Sequence, residues 1–144
     1  MLHYSPDQLH LYLMDFKGGT EFKIYESERL PHIQLLALDA MQEFGESILQ
    51  NLVDEMERRS NAFKNAGGYT KVEDYVRGTG KPMPRILVIM DEFQILFDDS
   101  TNRKVAMRSA NHAKRIVTEG RAYGVHLLMA CLLYTSDAAD DSLR

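Results

Sequence analysis

Apolar residues fall along this chain in two alternating rhythms. Leu9-His10-Leu11-Tyr12-Leu13-Met14 places Leu9, Leu11 and Leu13 on one face and Tyr12 and Met14 on the other. That is the period of a strand apolar on both sides. It runs into Asp15-Phe16-Lys17-Gly18-Gly19, where paired glycines predict a turn. Ile33–Leu38 reads as a second strand, with Pro31 just before it, where a missing N–H does little harm. Asp39 then reads as an N-cap, with Gln42 at the capping-box position. Phe44, Ile48, Leu49, Leu52, Val53, Met56 and Phe63 make one stripe of a long helix. Glu55-Met56-Glu57-Arg58-Arg59 supplies its solvated side, and Gly67-Gly68 ends it. Thr70 with Glu73 suggests a short capped helix through about Val76.

Gly78, Gly80, Pro82 and Pro84 form a loop leading to Ile86-Leu87-Val88-Ile89-Met90, a continuous apolar run that reads as a strand buried on both faces. The polar segment Asp98–Asn102 precedes another helix, with apolar positions at Val105, Met107, Ala110, Ala113, Ile116 and Val117. That helix ends near Gly120 or Gly124, and a last strand starts at Val125. Strands alternating with helices predict an α/β fold with a mostly parallel sheet flanked by helices. Ligands in such sheets bind at the carboxyl ends of the strands, so polar groups there carry the most weight.

Composition narrows the classes of function. The 144 residues are 44% apolar and 26% charged, enough for one packed core. A net charge of −4 excludes a histone-like basic wrapper but allows a local basic groove. No apolar run approaches the roughly 18 residues that cross a bilayer, and Met1–Asp7 lacks the basic start of a signal peptide. A single cysteine, Cys131, excludes an internal disulfide and a cysteine-based zinc cage, and suits a reducing cytoplasm.

Asp91-Glu92 directly follows the Ile86–Met90 strand. Adjacent carboxylates at a strand's end suit metal-nucleotide hydrolysis. Successive side chains diverge there, so the first can hold Mg²⁺ through water while the second orients or deprotonates an attacking water. A solvated acidic turn would share the pattern. The matching phosphate loop, G-x-x-x-x-G-K-[ST], is absent. Gly78-Thr79-Gly80-Lys81-Pro82 is a decoy: Tyr75 stands where the first glycine belongs, and Pro82 lacks the hydroxyl. Asp15 and Lys17, at the end of the first strand, are either nucleotide-proximal or an ordinary turn ion pair. Arg121 either faces a neighbouring subunit's phosphate or satisfies the last carbonyls of its helix. The five histidines show no metal-binding spacing, and His126 reads as a packed strand residue.

The last fourteen residues, Cys131 to Arg144, resemble the translation of a transposase sequencing adapter, with Cys131-Leu132-Leu133-Tyr134-Thr135-Ser136-Asp137-Ala138-Ala139-Asp140 matching in a row. The expectation is a partial domain over residues 1–130 and a non-native tail over residues 131–144.

Several segments together resemble the FtsK/SpoIIIE motor domain. They are Tyr12–Gly19, Glu21-Phe22, Leu30-Pro31-His32, Glu55–Arg59, Arg85–Phe93 and Gly120–Leu128, in that order and spacing. The resemblance implies a partial RecA-like P-loop NTPase using ATP and Mg²⁺, assembled as a homo-oligomeric, hexameric ring on double-stranded DNA. It makes Asp91 the Walker B magnesium-site aspartate and Glu92 the catalytic glutamate. It places the Walker A loop upstream of Met1, and a Thr/Ser-Gln sensor pair where Cys131-Leu132 stands. The arginine finger and DNA-contacting loops would lie farther downstream. The motor would be cytoplasmic, with any membrane anchor outside these residues.

Type VII secretion ATPases resemble the chain too, including its Asp-Phe-Lys-Gly-Gly segment, but they move protein. Phe93-Gln94 followed by Ile95-Leu96-Phe97 looks closer to the DNA translocases. A superfamily 1 helicase would share Asp91-Glu92-Phe93-Gln94, yet such proteins continue with Asp-Thr and lack Asp-Phe-Lys-Gly-Gly. A non-hydrolysing ring subunit that keeps the fold without the phosphate loop is the reading from a different class.

Overall fold

A computed structural model describes residues 3–19, 21–28 and 30–130. The proposed tail, Cys131 onward, lies outside the described residues. Four strands, β1 (Leu9–Asp15), β2 (Ile33–Ala37), β3 (Arg85–Asp91) and β4 (Val125–Ala130), form one sheet in the order β2-β1-β3-β4. Every pairing is parallel. The helices are α1 (Ile24–Ser27), α2 (Gln42–Asn65), α3 (Val72–Thr79) and α4 (Asp99–Tyr123). A 3₁₀ turn, Phe93–Phe97, follows β3. The longest strands, β1 and β3, occupy the centre, each paired on both sides.

The core lies between the sheet and the two long helices. Met14, Ile86, Val88, Met90 and Val125 turn inward to meet Leu49, Leu52, Val53 and Met56 of α2 and Ala113 and Ile116 of α4. Neither long helix covers the opposite face. Leu87 and Ile89 are therefore only half-buried, and Leu128 is 53% exposed. The expectation that Ile86–Met90 is buried on both faces fails for that reason. His126 belongs to the uncovered face and is exposed rather than packed.

Three further expectations change. Asp39 does not cap α2. The helix starts at Gln42 with Met41 at the N-cap, and Gln42 Nε2 donates to Leu96 O (3.2 Å) and Asp98 O (2.8 Å). That side chain ties the start of α2 to the turn after β3 instead of closing a capping box. Arg59 is not on the solvated side but 2% exposed. On α4 the buried stripe runs through Val105, Ser109, Ala113, Ile116 and Gly120, so Met107 and Val117 are exposed. Gly120 is small of necessity, because its open side faces the Val125 carbonyl of the returning strand.

Candidate active site

The carboxyl edge of the central strands gathers the acidic residues. Parallel register sets Asp15 of β1 opposite Asp91 of β3, and Asp91 opposite Ala130 of β4. Asp15 is fully buried, Asp91 half-buried and Glu92 7% exposed. The edge is stitched by backbone. Phe16 N donates to Asp91 O (3.4 Å) and Ala40 N to Asp15 O (2.8 Å). Lys17 N donates to Asp15 Oδ1 (2.9 Å), curling the following turn over the carboxylate.

Glu92 is held in the left-handed region, with φ 52° and ψ 39°, the sole non-glycine residue with positive φ among the described residues. That conformation costs a non-glycine residue about 1–2 kcal/mol and clusters at functional sites. The reversal ends β3 abruptly. Glu92 N turns back to Asp91 Oδ1 (3.0 Å), and the Gln94 amide donates to Glu92 Oε2. Asp91 and Glu92 thus leave one strand end in different directions, the divergence that metal-nucleotide hydrolysis needs. The donor set is hard oxygen, which suits Mg²⁺. On the neighbouring strand, Asp15 Oδ2 is buried without a hydrogen-bond partner. Among the described residues, no three His, Cys, Asp or Glu side chains form a ready-made metal cage.

Asp15 and Lys17 join Asp91 and Glu92 at this edge; Arg121 does not. It occupies the last turn of α4, which kinks at Asn102 (φ −151°, ψ 92°) and then runs on for about 30 Å. The helix leaves from the carboxyl edge and ends at Gly124, whose carbonyl accepts from Ile86 N at the start of β3 (2.8 Å). Arg121 therefore stands at the amino edge, far from its own Asp91. The Gly78–Pro82 decoy is also at the wrong edge. Gly80, at φ 69°, caps α3, and Lys81 follows into the approach to β3. Sequence reasoning named Gln42 as a capping-box residue and Gln94 as part of an Asp-Glu-x-Gln pattern but gave neither a place at this site; Gln42 reaches the carbonyls of Leu96 and Asp98, and Gln94 donates to Glu92 Oε2.

The amino edge is built differently. Arg59 donates through Nε to Glu55 Oε1 and through Nη1 to Tyr123 O, each at 2.7 Å. Burial is the largest influence on its guanidinium and pushes its pKa below the ordinary arginine range, against the pull of Glu55. Burial also raises the Glu55 carboxyl, but bonds to Arg58 and Arg59 outweigh it and leave the pKa below 4.5. Beside them a cavity of about 520 Å³ is lined by His10, Tyr12, Glu55, Arg58 and Lys81. It faces away from Asp91 and Glu92.

Comparison with known proteins places this geometry. A profile of the FtsK/SpoIIIE family matches residues 1–82. The chain is 30% identical over 134 residues to the ESX secretion system protein EccC of Thermomonospora curvata, covering 88% of this chain and 10% of that protein. It is 32% identical over 140 residues to the DNA translocase FtsK of Streptococcus pyogenes, covering 90% of this chain and 16% of that one. The chain therefore spans only a small part of the curated relatives it matches. The solved cytoplasmic domain of the T. curvata type VII secretion ATPase EccC superposes with a TM-score of 0.65 at 30% identity, covering 89% of this chain and 15% of that one. The pCW3 conjugation coupling protein TcpA, solved with ATPγS, superposes with a TM-score of 0.68 at 23% identity, covering 88% and 35%; that likeness concerns the fold.

Proposed function

The chain belongs to the FtsK/SpoIIIE family, and on that premise we propose that it is the Walker B half of an ATP-driven motor that moves double-stranded DNA. The observation that carries the reading is the adjacent pair Asp91-Glu92 at the carboxyl end of a central parallel strand, split by the left-handed turn at Glu92. Asp91 would hold Mg²⁺ through water. When bound, Mg²⁺ and ATP supply the phosphoryl group and the neutralisation of its charge. Glu92 accepts the proton of the attacking water at Oε1, since Oε2 is engaged by Gln94. Asp15 and Lys17 line the same edge. The phosphate-binding loop comes from outside these residues, as does the sensor pair, and the working unit is a hexameric ring in the cytoplasm. Among the described residues, no helix is long and apolar enough to cross a membrane.

The identity to EccC favours a second reading, in which the same hydrolytic half drives movement of protein. One experiment separates the two. The complete polypeptide encoded at the native locus is purified and its ATP hydrolysis measured with and without double-stranded DNA. Hydrolysis stimulated by DNA and abolished by Glu92→Gln supports the DNA motor. Glu92-dependent hydrolysis that ignores DNA favours protein cargo. Hydrolysis that survives Glu92→Gln overturns the assignment. The 144-residue chain alone should not turn ATP over, because it lacks the phosphate loop.

A further inference from the structure

We propose that Asp15 and Glu21 form a seat for a divalent cation over Gly19, one strand away from Asp91 and independent of the role given to Glu92. Three observations converge on this point. Asp15 Oδ2 is fully buried and has no hydrogen-bond partner, whereas Oδ1 of the same carboxylate is engaged by Lys17 N. An orphaned carboxylate oxygen in low dielectric is costly unless something cationic answers it. Glu21 Oε2 approaches the same space. A methyl placed on Gly19 would lie 2.6 Å from Asp15 Oδ2 and would also collide with Glu21 Oε2. The third observation is the glycine itself. Gly19 does not have the positive φ of its neighbour Gly18, so the turn there does not need glycine for its backbone. What glycine provides at position 19 is room for two carboxylate oxygens to converge where a side chain would displace them.

Two carboxylates plus water is the donor set that Mg²⁺ takes. Two anionic oxygens facing one small gap repel each other and favour a compact, doubly charged ion. Lys17 and Asp39 are the other charged groups on this turn. Lys17 gives its backbone N–H to Asp15, and an Asp39 carboxylate oxygen lies 3.8 Å from the Cβ position of Gly18. The seat has its own ligands, so it is distinct from the water-mediated site assigned to Asp91.

The test uses the 144-residue chain without nucleotide, with Mn²⁺ as the probe read by electron paramagnetic resonance and displaced by Mg²⁺. One ion should bind. Asp15→Asn and Gly19→Ala should each weaken it by about tenfold or more, the usual cost of losing a group that holds a metal. Asp91→Asn should leave it unchanged. Gly19→Ala keeps both carboxylates, so it decides the matter alone if Asp15→Asn does not fold, as judged by circular dichroism. The proposal is overturned if the wild-type chain binds no ion, as it would if Lys17 alone neutralised the pair. Binding that survives Gly19→Ala also overturns it, as does binding lost with Asp91→Asn, which would mean a single shared site. None of these outcomes touches the hydrolytic reading, which rests on Glu92→Gln in the complete polypeptide.

Discussion

Arg59 should be the costliest charged residue to remove. It is 2% exposed and clamps two elements, bonding Glu55 within α2 and the Tyr123 carbonyl at the end of α4. Arg59→Met keeps most of the apolar stem and deletes the charge. Each charge-assisted bond contributes about 1.5–3 kcal/mol. Glu55 is not stranded, because both its oxygens still accept from Arg58, at 2.6 and 2.7 Å. The Tyr123 carbonyl does lose its donor. Methionine also removes the cost of holding a buried cation, which offsets part of the loss. The net is about 2–4 kcal/mol, or about 10 °C in Tm for a domain of this size. Arg58→Met touches the same carboxylate from a side chain 63% exposed and should cost less than about 1 kcal/mol. Urea unfolding followed by circular dichroism and tyrosine fluorescence reads both, since the chain has seven tyrosines and no tryptophan. If Arg59→Met is no worse than Arg58→Met, the clamp is not what joins the helices at this edge.

Gly45→Ala should destabilise by about 1–2 kcal/mol. The new methyl would sit 2.7 Å from Phe16 Cε1 and 2.9 Å from Leu96 Cδ1, which outweighs the helix-propensity gain of about 1 kcal/mol; a higher urea midpoint would contradict this. Glu92→Gly should hold or raise stability by up to about 1 kcal/mol by relieving the left-handed strain, while in the complete polypeptide it should abolish hydrolysis. A drop in stability would mean the Gln94 contact outweighs the strain. Burial first, then the charge of Arg59, lowers the His10 pKa below 6.5, and desolvation against the sheet face, then the charge of Arg85, lowers that of His126. The unfolded chain then binds protons that the folded chain does not. Stability should be full above about pH 6.5 and fall as the pH drops below it. Glu55 and Glu73, whose pKa values lie below 4.5, add their own loss only at lower pH. A urea midpoint flat between about pH 7.5 and about pH 5.5 would refute the histidine part, and His10→Gln should shallow the slope.

The fold was legible wherever one residue's neighbours in sequence decide its environment. Alternation in Leu9–Met14 and the apolar run Ile86–Met90 located the two central strands, and Gly67-Gly68 located the end of α2. The errors arose where distant partners decide. Arg59 sits among Glu55, Met56 and Glu57, and local composition reads that stretch as solvated. What buries it is Tyr123, 64 residues away. Gln42 fits a capping box by spacing, but its amide finds carbonyls 54 and 56 residues later. At the site, Asp91 and Glu92 stood out because the motif is contiguous and follows a strand. Asp15 is drawn beside Asp91 only by the β1–β3 register, and Glu21 enters only through the turn at Gly19. Arg121 was read as a helix-end residue and stands in the last turn of α4, but its spacing could not say that the helix carries it to the opposite edge of the sheet from its own Asp91.

The two edges of this sheet divide stability from chemistry. At the amino edge buried charge is answered: Arg59 has both a carboxylate and a carbonyl, and the end of α4 is fastened there. At the carboxyl edge polar groups are left unanswered or strained: Asp15 Oδ2 has no partner, and Glu92 is held at positive φ. Strands β1 and β3 connect the edges through a core that includes Met14, Val88 and Met90, each fully buried. A close-packed interior transmits position but gives little room for adjustment. The strained edge can therefore persist because the other end of the same strands is clamped. This leads to a coupled expectation: loosening the clamp with Arg59→Met should speed hydrogen exchange of the Phe16 and Ala40 amides, which tie the carboxyl edge to Asp91 O and Asp15 O. Exchange confined to α4 and the Arg59 neighbourhood would show that the two edges are energetically separate.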